Sequence, residues 1–329
     1  MSVPIPAPPA GIWTPSVTFF DPVTDKLDLD AQKKYFTYLA RQTGLTGLVI
    51  LGTNAETFLL TREERKELLT LARECLRGSG VKIMAGVGGH SAAQVREFLE
   101  DVIGIGGIEW VLVLPVGYFP GSSGAREVID GFYEEVVRVV EGRGIGIVLY
   151  NFPGVCNGVD LDSDTIARLA KKHDSIVGVK LTCGSVAKIT RLAAELPPER
   201  FSVFGGQSDF LIGGLAVGSA GCIAAFGNVF PKTIVTIYSL YQQGKTEQAL
   251  RLHRKAALAE QALKAGGIAS TKYAASVFTA PLAGIEDSED KLRPRRPYLP
   301  PGEEAKRRIR EALAEVAEIE KSIVVEKSS

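Results

Sequence analysis

Three stretches of this 329-residue chain end a short apolar run in residues able to do chemistry. The run Ser175-Ile176-Val177-Gly178-Val179 ends in Lys180. Lysine is seldom enclosed without a partner or a task, and desolvation favours the neutral amine, the form that attacks a carbonyl. A second run, Ile145-Gly146-Ile147-Val148-Leu149, ends in Tyr150, whose hydroxyl is suited to passing protons to and from a reacting oxygen. A third run leads into Gly52-Thr53-Asn54-Ala55-Glu56, where a glycine turn precedes two hydrogen-bonding side chains that, with backbone N–H groups, suit a carboxylate. Taken alone, each has a plainer reading: a lysine turned to solvent, an aromatic strand end, a capped turn.

The elements that must position these residues alternate regularly. β-Branched runs at Ile12 to Thr18, Gly47 to Leu51, Val81 to Gly86, Trp110 to Leu114, Gly146 to Tyr150, Val177 to Leu181, Phe201 to Phe204 and Gly221 to Ala225 read as strands. Helical patterns lie between them, such as Thr61 to Leu76, opened by a capping box, and Ser163 to Lys171. Strands joined by helices run parallel, and eight such units predict an α/β fold, a (β/α)8 TIM barrel. An open doubly wound sheet is the competing architecture, but no dinucleotide glycine fingerprint follows the first strand, which also counts against a nicotinamide oxidoreductase. Residues 1–230 are read as the barrel core. Residues 231–329 are read as the last barrel helix and a C-terminal helical extension (Lys232 to Tyr241, Thr246 to Lys264, Glu303 to Ile323) within one structural unit. In a parallel barrel, functional residues gather at the C-terminal ends of strands, where Lys180, Tyr150 and the Gly52–Glu56 turn all fall.

Composition narrows the partner. Lys plus Arg and Asp plus Glu both number 38, so no long-range field attracts nucleic acid or an anionic membrane, and a small molecule is the expected partner. The four cysteines, Cys75, Cys156, Cys183 and Cys222, form no C-x-x-C pair, and only His90, His173 and His253 are available as imidazole ligands, so neither a metal site nor a Ser-His-Asp triad is supported. The start MSVPIPAPPAGIW holds no Lys or Arg and is broken by prolines, no apolar run approaches a bilayer span, and the final EKSS is not a peroxisomal address. The reading is cytoplasmic.

Together these stretches resemble one family. Gly-Thr-Asn-Ala-Glu at 52–56, Tyr150-Asn151-Phe152-Pro153 and Gly178-Val179-Lys180 follow the order and spacing of the dihydrodipicolinate synthase and N-acetylneuraminate lyase superfamily. The likeness continues through Ala85-Gly86-Val87-Gly88, Gly205-Gly206, residues 220–231, Lys272-Tyr273-Ala274 and Leu292-Arg293-Pro294-Arg295, across nearly the whole chain. It implies a metal-independent class I mechanism without a cofactor. Lys180 would form an imine with a 2-oxo acid, Tyr150 would relay protons, Gly52, Thr53 and Asn54 would hold the C1 carboxylate, and Gly206 would line the substrate site. Relatives are commonly homotetramers, dimers of dimers.

Departures from the family pattern bear on the substrate. Val155 stands where the lysine-biosynthesis branch has an arginine for a second carboxylate, and valine makes no such pair, which argues against dihydrodipicolinate synthesis. Backbone amides or Asn157 are the candidate substitutes for that contact. Tyr118, in Val116-Gly117-Tyr118-Phe119, is a candidate relay hydroxyl near the family's paired tyrosines, or simply a packed loop aromatic. The chain looks most like fungal members of the family and 4-hydroxy-2-oxoglutarate aldolases. The likeness to the fungal members implies cleavage of L-threo-3-deoxy-hexulosonate (2-keto-3-deoxy-L-galactonate) to pyruvate and L-glyceraldehyde in galacturonate catabolism. Alternatives are 4-hydroxy-2-oxoglutarate cleavage, a dihydrodipicolinate synthase-like or N-acetylneuraminate lyase activity, and a catalytically silent sugar-acid-binding barrel.

Overall fold

The computed structural model describes residues 5–119 and 121–325. Residues 1–4, part of the segment read above for targeting signals, Pro120 and the EKSS tail lie outside the described residues. Eight strands form a closed parallel barrel in chain order. They are β1 (Gly11–Pro15), β2 (Gly47–Ile50), β3 (Lys82–Gly86), β4 (Trp110–Val113), β5 (Gly146–Asn151), β6 (Ile176–Leu181), β7 (Ser202–Gly205) and β8 (Gly221–Ile223). Each falls within three residues of its expected span. The largest overestimate is β1, which stops at Pro15, one further hydrogen bond running from Ser16 N to Val49 O at 3.0 Å.

The described residues pack as two units. In the first, formed by residues 83–223 with those up to Ala10, the strands are buried along almost their whole length, as expected of strands covered on both faces. The helices here carry the signals that the sequence displays: Ser163–Lys172 is capped by Asp162, whose carboxylate accepts from Thr165 N at 2.7 Å, and Ser185 caps Val186–Glu195. The chain before Gly11 is tied to the same unit, since Trp110 Nε1 donates to Pro6 O at 2.8 Å and Ser202 Oγ to Pro8 O at 2.7 Å.

The second unit holds residues 11–82 and 224–329. Helix Arg62–Leu76 opens with the expected capping box, Thr61 and Glu64 each satisfying the other's backbone N–H. Asn228 stitches the end of β1 to the turn Ala225–Asn228: its Oδ1 accepts from Val17 N, and its Nδ2 donates to Pro15 O and Ala225 O. The final helix, Glu303–Ser322, uses Glu320 to cap helix Pro231–Gln242, accepting from Lys232 N at 2.9 Å and Thr233 N at 2.7 Å. Helix Gly267–Phe278 escapes a periodicity reading. Every residue from Ser270 to Ser276 is buried, so it shows no polar stripe to set against an apolar one.

Candidate active site

The register of β5 against β6 sets Tyr150 directly opposite Lys180, so the two side chains emerge on the same face. Both are buried, at 2% exposure for Lys180 and 3% for Tyr150. Lys180 Nζ lies 3.1 Å from the Tyr150 hydroxyl and 4.2 Å from the centre of its ring. An amine and a phenol at this distance, shielded from water, have the chemistry that a nucleophile with a proton relay in reach requires.

The backbone around Lys180 explains its neighbours. Gly178 shares its face of β6, and a Cβ there would meet the Ser202 carbonyl oxygen at 2.8 Å, so only glycine lets β6 lie this close to β7. Thr182 comes next on that face, just past the strand end, with its N–H donating to Asn151 O at 2.9 Å. Its Oγ1 is buried without a hydrogen-bond partner among the described residues. A Cβ on Gly206 would stand 2.1 Å from that oxygen, so glycine there makes room for the Thr182 hydroxyl. Thr182 was missed in the sequence; the available signal was its position two residues beyond Lys180, on the same side of an extended chain.

The chain after Tyr150 is firmly anchored. Asn151 donates to Asp160 Oδ1 at 2.7 Å and accepts from Leu161 N at 2.9 Å, while Lys188 Nζ bonds Asp160 and, at 2.8 Å, Leu161 O. The Phe152 ring lies 5.8 Å from that of Tyr150, and Val155 closes the 3-10 turn Pro153–Val155 with 45% of its surface exposed. Cys156 is buried, which pushes its thiol up to about 11, and its Sγ faces Pro115 O. A Cβ on Gly117 would fall 2.6 Å from Cys156 Cα, so the loops after β4 and β5 touch backbone to backbone. Asn157, at φ 49°, donates its amide to Gly117 O and Tyr118 O. The donor proposed for a substrate carboxylate is thus engaged in fastening two loops. Tyr118 sits on the surface at 63% exposure, its ring 5.4 Å from His90 and 5.1 Å from Phe119.

The third motif lies in the second unit, in the turn after β2. Gly52 precedes the 3-10 turn Thr53–Ala55, and Thr18 Oγ1 holds Ala55 O at 2.9 Å. Thr53 and Asn54 are half-buried, while Glu56 is buried and ion-paired with Lys272. Two non-glycine residues bracket the turn in the left-handed region, Leu51 at φ 63° and Glu56 at φ 56°. Among the described residues no group of three or more His, Cys, Asp or Glu is arranged to hold a metal ion, and no helix is long and apolar enough to cross a membrane.

Comparisons with known proteins bear on the family and the fold. A Coccidioides immitis protein provisionally named as a mitochondrial 4-hydroxy-2-oxoglutarate aldolase is 61% identical, the match covering 95% of this chain and 97% of that one. The L-threo-3-deoxy-hexylosonate aldolase of Hypocrea jecorina is 33% identical over 97% of this chain and 99% of its own. A crystal structure from Coccidioides immitis, of a protein assigned to the dihydrodipicolinate synthase family, superposes with a TM-score of 0.88 at 58% identity, covering 96% of this chain and 98% of that one. Residues 8–316 match the model of the dihydrodipicolinate synthetase family. The chain therefore belongs to the dihydrodipicolinate synthetase family, as one of its carbon–carbon lyases.

Proposed function

We propose that this pyruvate aldolase cleaves a 2-oxo-3-deoxy sugar acid, L-threo-3-deoxy-hexulosonate, to pyruvate and L-glyceraldehyde through an imine at Lys180. The observation that carries this reading is the buried contact between Lys180 Nζ and the Tyr150 hydroxyl. The neutral amine adds to the C2 ketone, Tyr150 protonates the carbinolamine oxygen, and water leaves to give the protonated imine. Tyr150 then takes the proton of the C4 hydroxyl. The C3–C4 bond breaks, its electron pair moves toward the imine nitrogen, the aldehyde departs, and the remaining enamine takes a proton at C3 before water releases pyruvate. In this reading Gly52, Thr53 and Asn54 receive the C1 carboxylate, Gly206 lines the site with Thr182, and Tyr118 assists the relay. Val155, in place of an arginine, suits a neutral aldehyde half.

A second reading, 4-hydroxy-2-oxoglutarate cleavage, is favoured by the name of the 61% identical relative. Pyruvate release measured across both substrates separates them. A higher kcat/KM for the hexulosonate supports the first reading, and a higher value for 4-hydroxy-2-oxoglutarate replaces it with the second. Borohydride with pyruvate should add a reduced pyruvyl group at Lys180; equal labelling of Lys180→Ala overturns the imine assignment. The same proposal places the enzyme in the cytoplasm as a homotetramer, tested by fractionation and light scattering. A mitochondrial pool is the outcome that the Coccidioides relative's name favours.

A further inference from the structure

Lys272 is, among the described residues, a further enclosed lysine that the chemistry above does not use. It lies in helix Gly267–Phe278 at 0% exposure, bonds the Glu56 carboxylate and donates to Arg293 O at 2.9 Å, with its ammonium 4.6 Å from the centre of the Phe20 ring. The second oxygen of Glu56 accepts from Arg295 N at 2.7 Å. The Arg295 side chain forks onto both oxygens of Glu64 and reaches Leu59 O at 3.0 Å. Glu64 belongs to the capping box that opens the helix after the turn. The turn is therefore fastened at its last residue, Glu56, and again downstream at Leu59 and Glu64.

A buried ion pair is a costly way to gain stability, because apolar residues of the same size would usually do as well; its use lies in specifying one geometry. What it specifies here is a backbone that non-glycine residues avoid, since Leu51 and Glu56 both hold positive φ on either side of Gly52–Ala55. Burial pulls the Lys272 ammonium down from the ordinary lysine range, and the Glu56 carboxylate opposes that pull. The pair ties the last residue of the turn to helix Gly267–Phe278 and to the backbone at Arg293 and Arg295.

We propose that Lys272 is a positioning residue acting through Glu56: their buried contact sets the Gly52–Glu56 turn in the shape that presents Thr53 and Asn54 to the C1 carboxylate of the 2-oxo acid. This rests on the imine reading, and it assigns helix Gly267–Phe278 a share in substrate affinity without a share in the bond-breaking step. A misplaced carboxylate cradle weakens capture of the 2-oxo acid while leaving the amine and its relay intact.

The test compares wild type with Lys272→Met and with the pair Glu56→Gln/Lys272→Met, which removes both charges and so leaves no uncompensated buried ion if the single variant does not fold. Borohydride trapping is titrated with pyruvate and with hydroxyacetone, a ketone lacking the carboxylate. The folded variants should half-saturate at about tenfold higher pyruvate, with the hydroxyacetone curve and the trapping rate at saturation within about threefold of wild type. A lowered melting temperature with an unchanged pyruvate titration overturns the proposal, as does an equal loss for both ketones. If wild type shows no trapping with pyruvate, the imine reading itself falls and takes the positioning role with it. If wild type traps pyruvate and the variants match it, only the positioning role falls.

Discussion

Lys180 and Lys272 are both enclosed, yet each faces a different partner. Lys180 meets the hydroxyl of Tyr150, and Lys272 meets the carboxylate of Glu56. An amine must be uncharged to attack a carbonyl, and a carboxylate in contact would hold it as an ammonium. A phenol instead offers a proton donor and acceptor without fixing a charge. Burial therefore does not distinguish a nucleophile from a structural cation. The partner does.

Substitutions at the two lysines should separate along that line. Replacing Lys180 with Met should lower kcat/KM by roughly 10⁴-fold or more and remove the pyruvate adduct seen by mass spectrometry, while the melting temperature holds or rises because the contact removed is with a neutral hydroxyl and leaves no buried charge behind. Loss of activity without loss of the adduct would break the comparison on the Lys180 side. Next in size, Tyr150→Phe should reduce kcat about 10²- to 10³-fold with imine trapping retained, as expected when a proton relay is removed but the nucleophile stays. A variant with wild-type kcat would assign the relay elsewhere.

Lys272→Met should show the reverse pattern, losing about 3–5 kcal/mol of unfolding free energy because Glu56 is left as a buried charge without its cation. Denaturant titration measures this, and a variant as stable as wild type would mean that Glu56 finds protons or other donors. The smallest effect belongs to Glu64. Burial works to raise its carboxyl, but the Arg295 fork and the Thr61 donors outweigh this and hold it below the ordinary value of 4.5. A depressed acid contributes stability that is present above its unfolded value and lost as pH falls through its folded value. Stability should therefore drop below about pH 4.5 in wild type, and Glu64→Gln should flatten that part of the curve. Thermal unfolding between pH 3 and 7 checks this; parallel curves for the two proteins would remove Glu64 from the account.

The barrel was legible because a covered parallel strand reads as a short β-branched run and an outer helix reads as a period of 3.6 with a cap, as in Thr61 to Leu76. That Lys180 and Tyr150 stand at strand ends was legible because each closes such a run, while their roles as nucleophile and relay came only from the family resemblance. Thr182 was not, since a threonine after a strand is ordinary until Gly206 is seen to leave room for it and no partner meets its hydroxyl. Asn157 was read as a substitute for the arginine that Val155 replaces; the structure shows its amide donor engaged with Gly117 and Tyr118, a contact across 40 residues that spacing cannot reveal.

The sequence by itself determined the order of strands and helices, the caps, and which residues stand at strand ends, because these follow from side-chain periodicity and local hydrogen bonding. Which buried lysine meets a phenol and which a carboxylate was decided only in three dimensions. Tyr150 reaches Lys180 through strand register across 30 residues, and Glu56 reaches Lys272 across 216. The chemistry of an amine is set by the group it faces, and that group is chosen by packing.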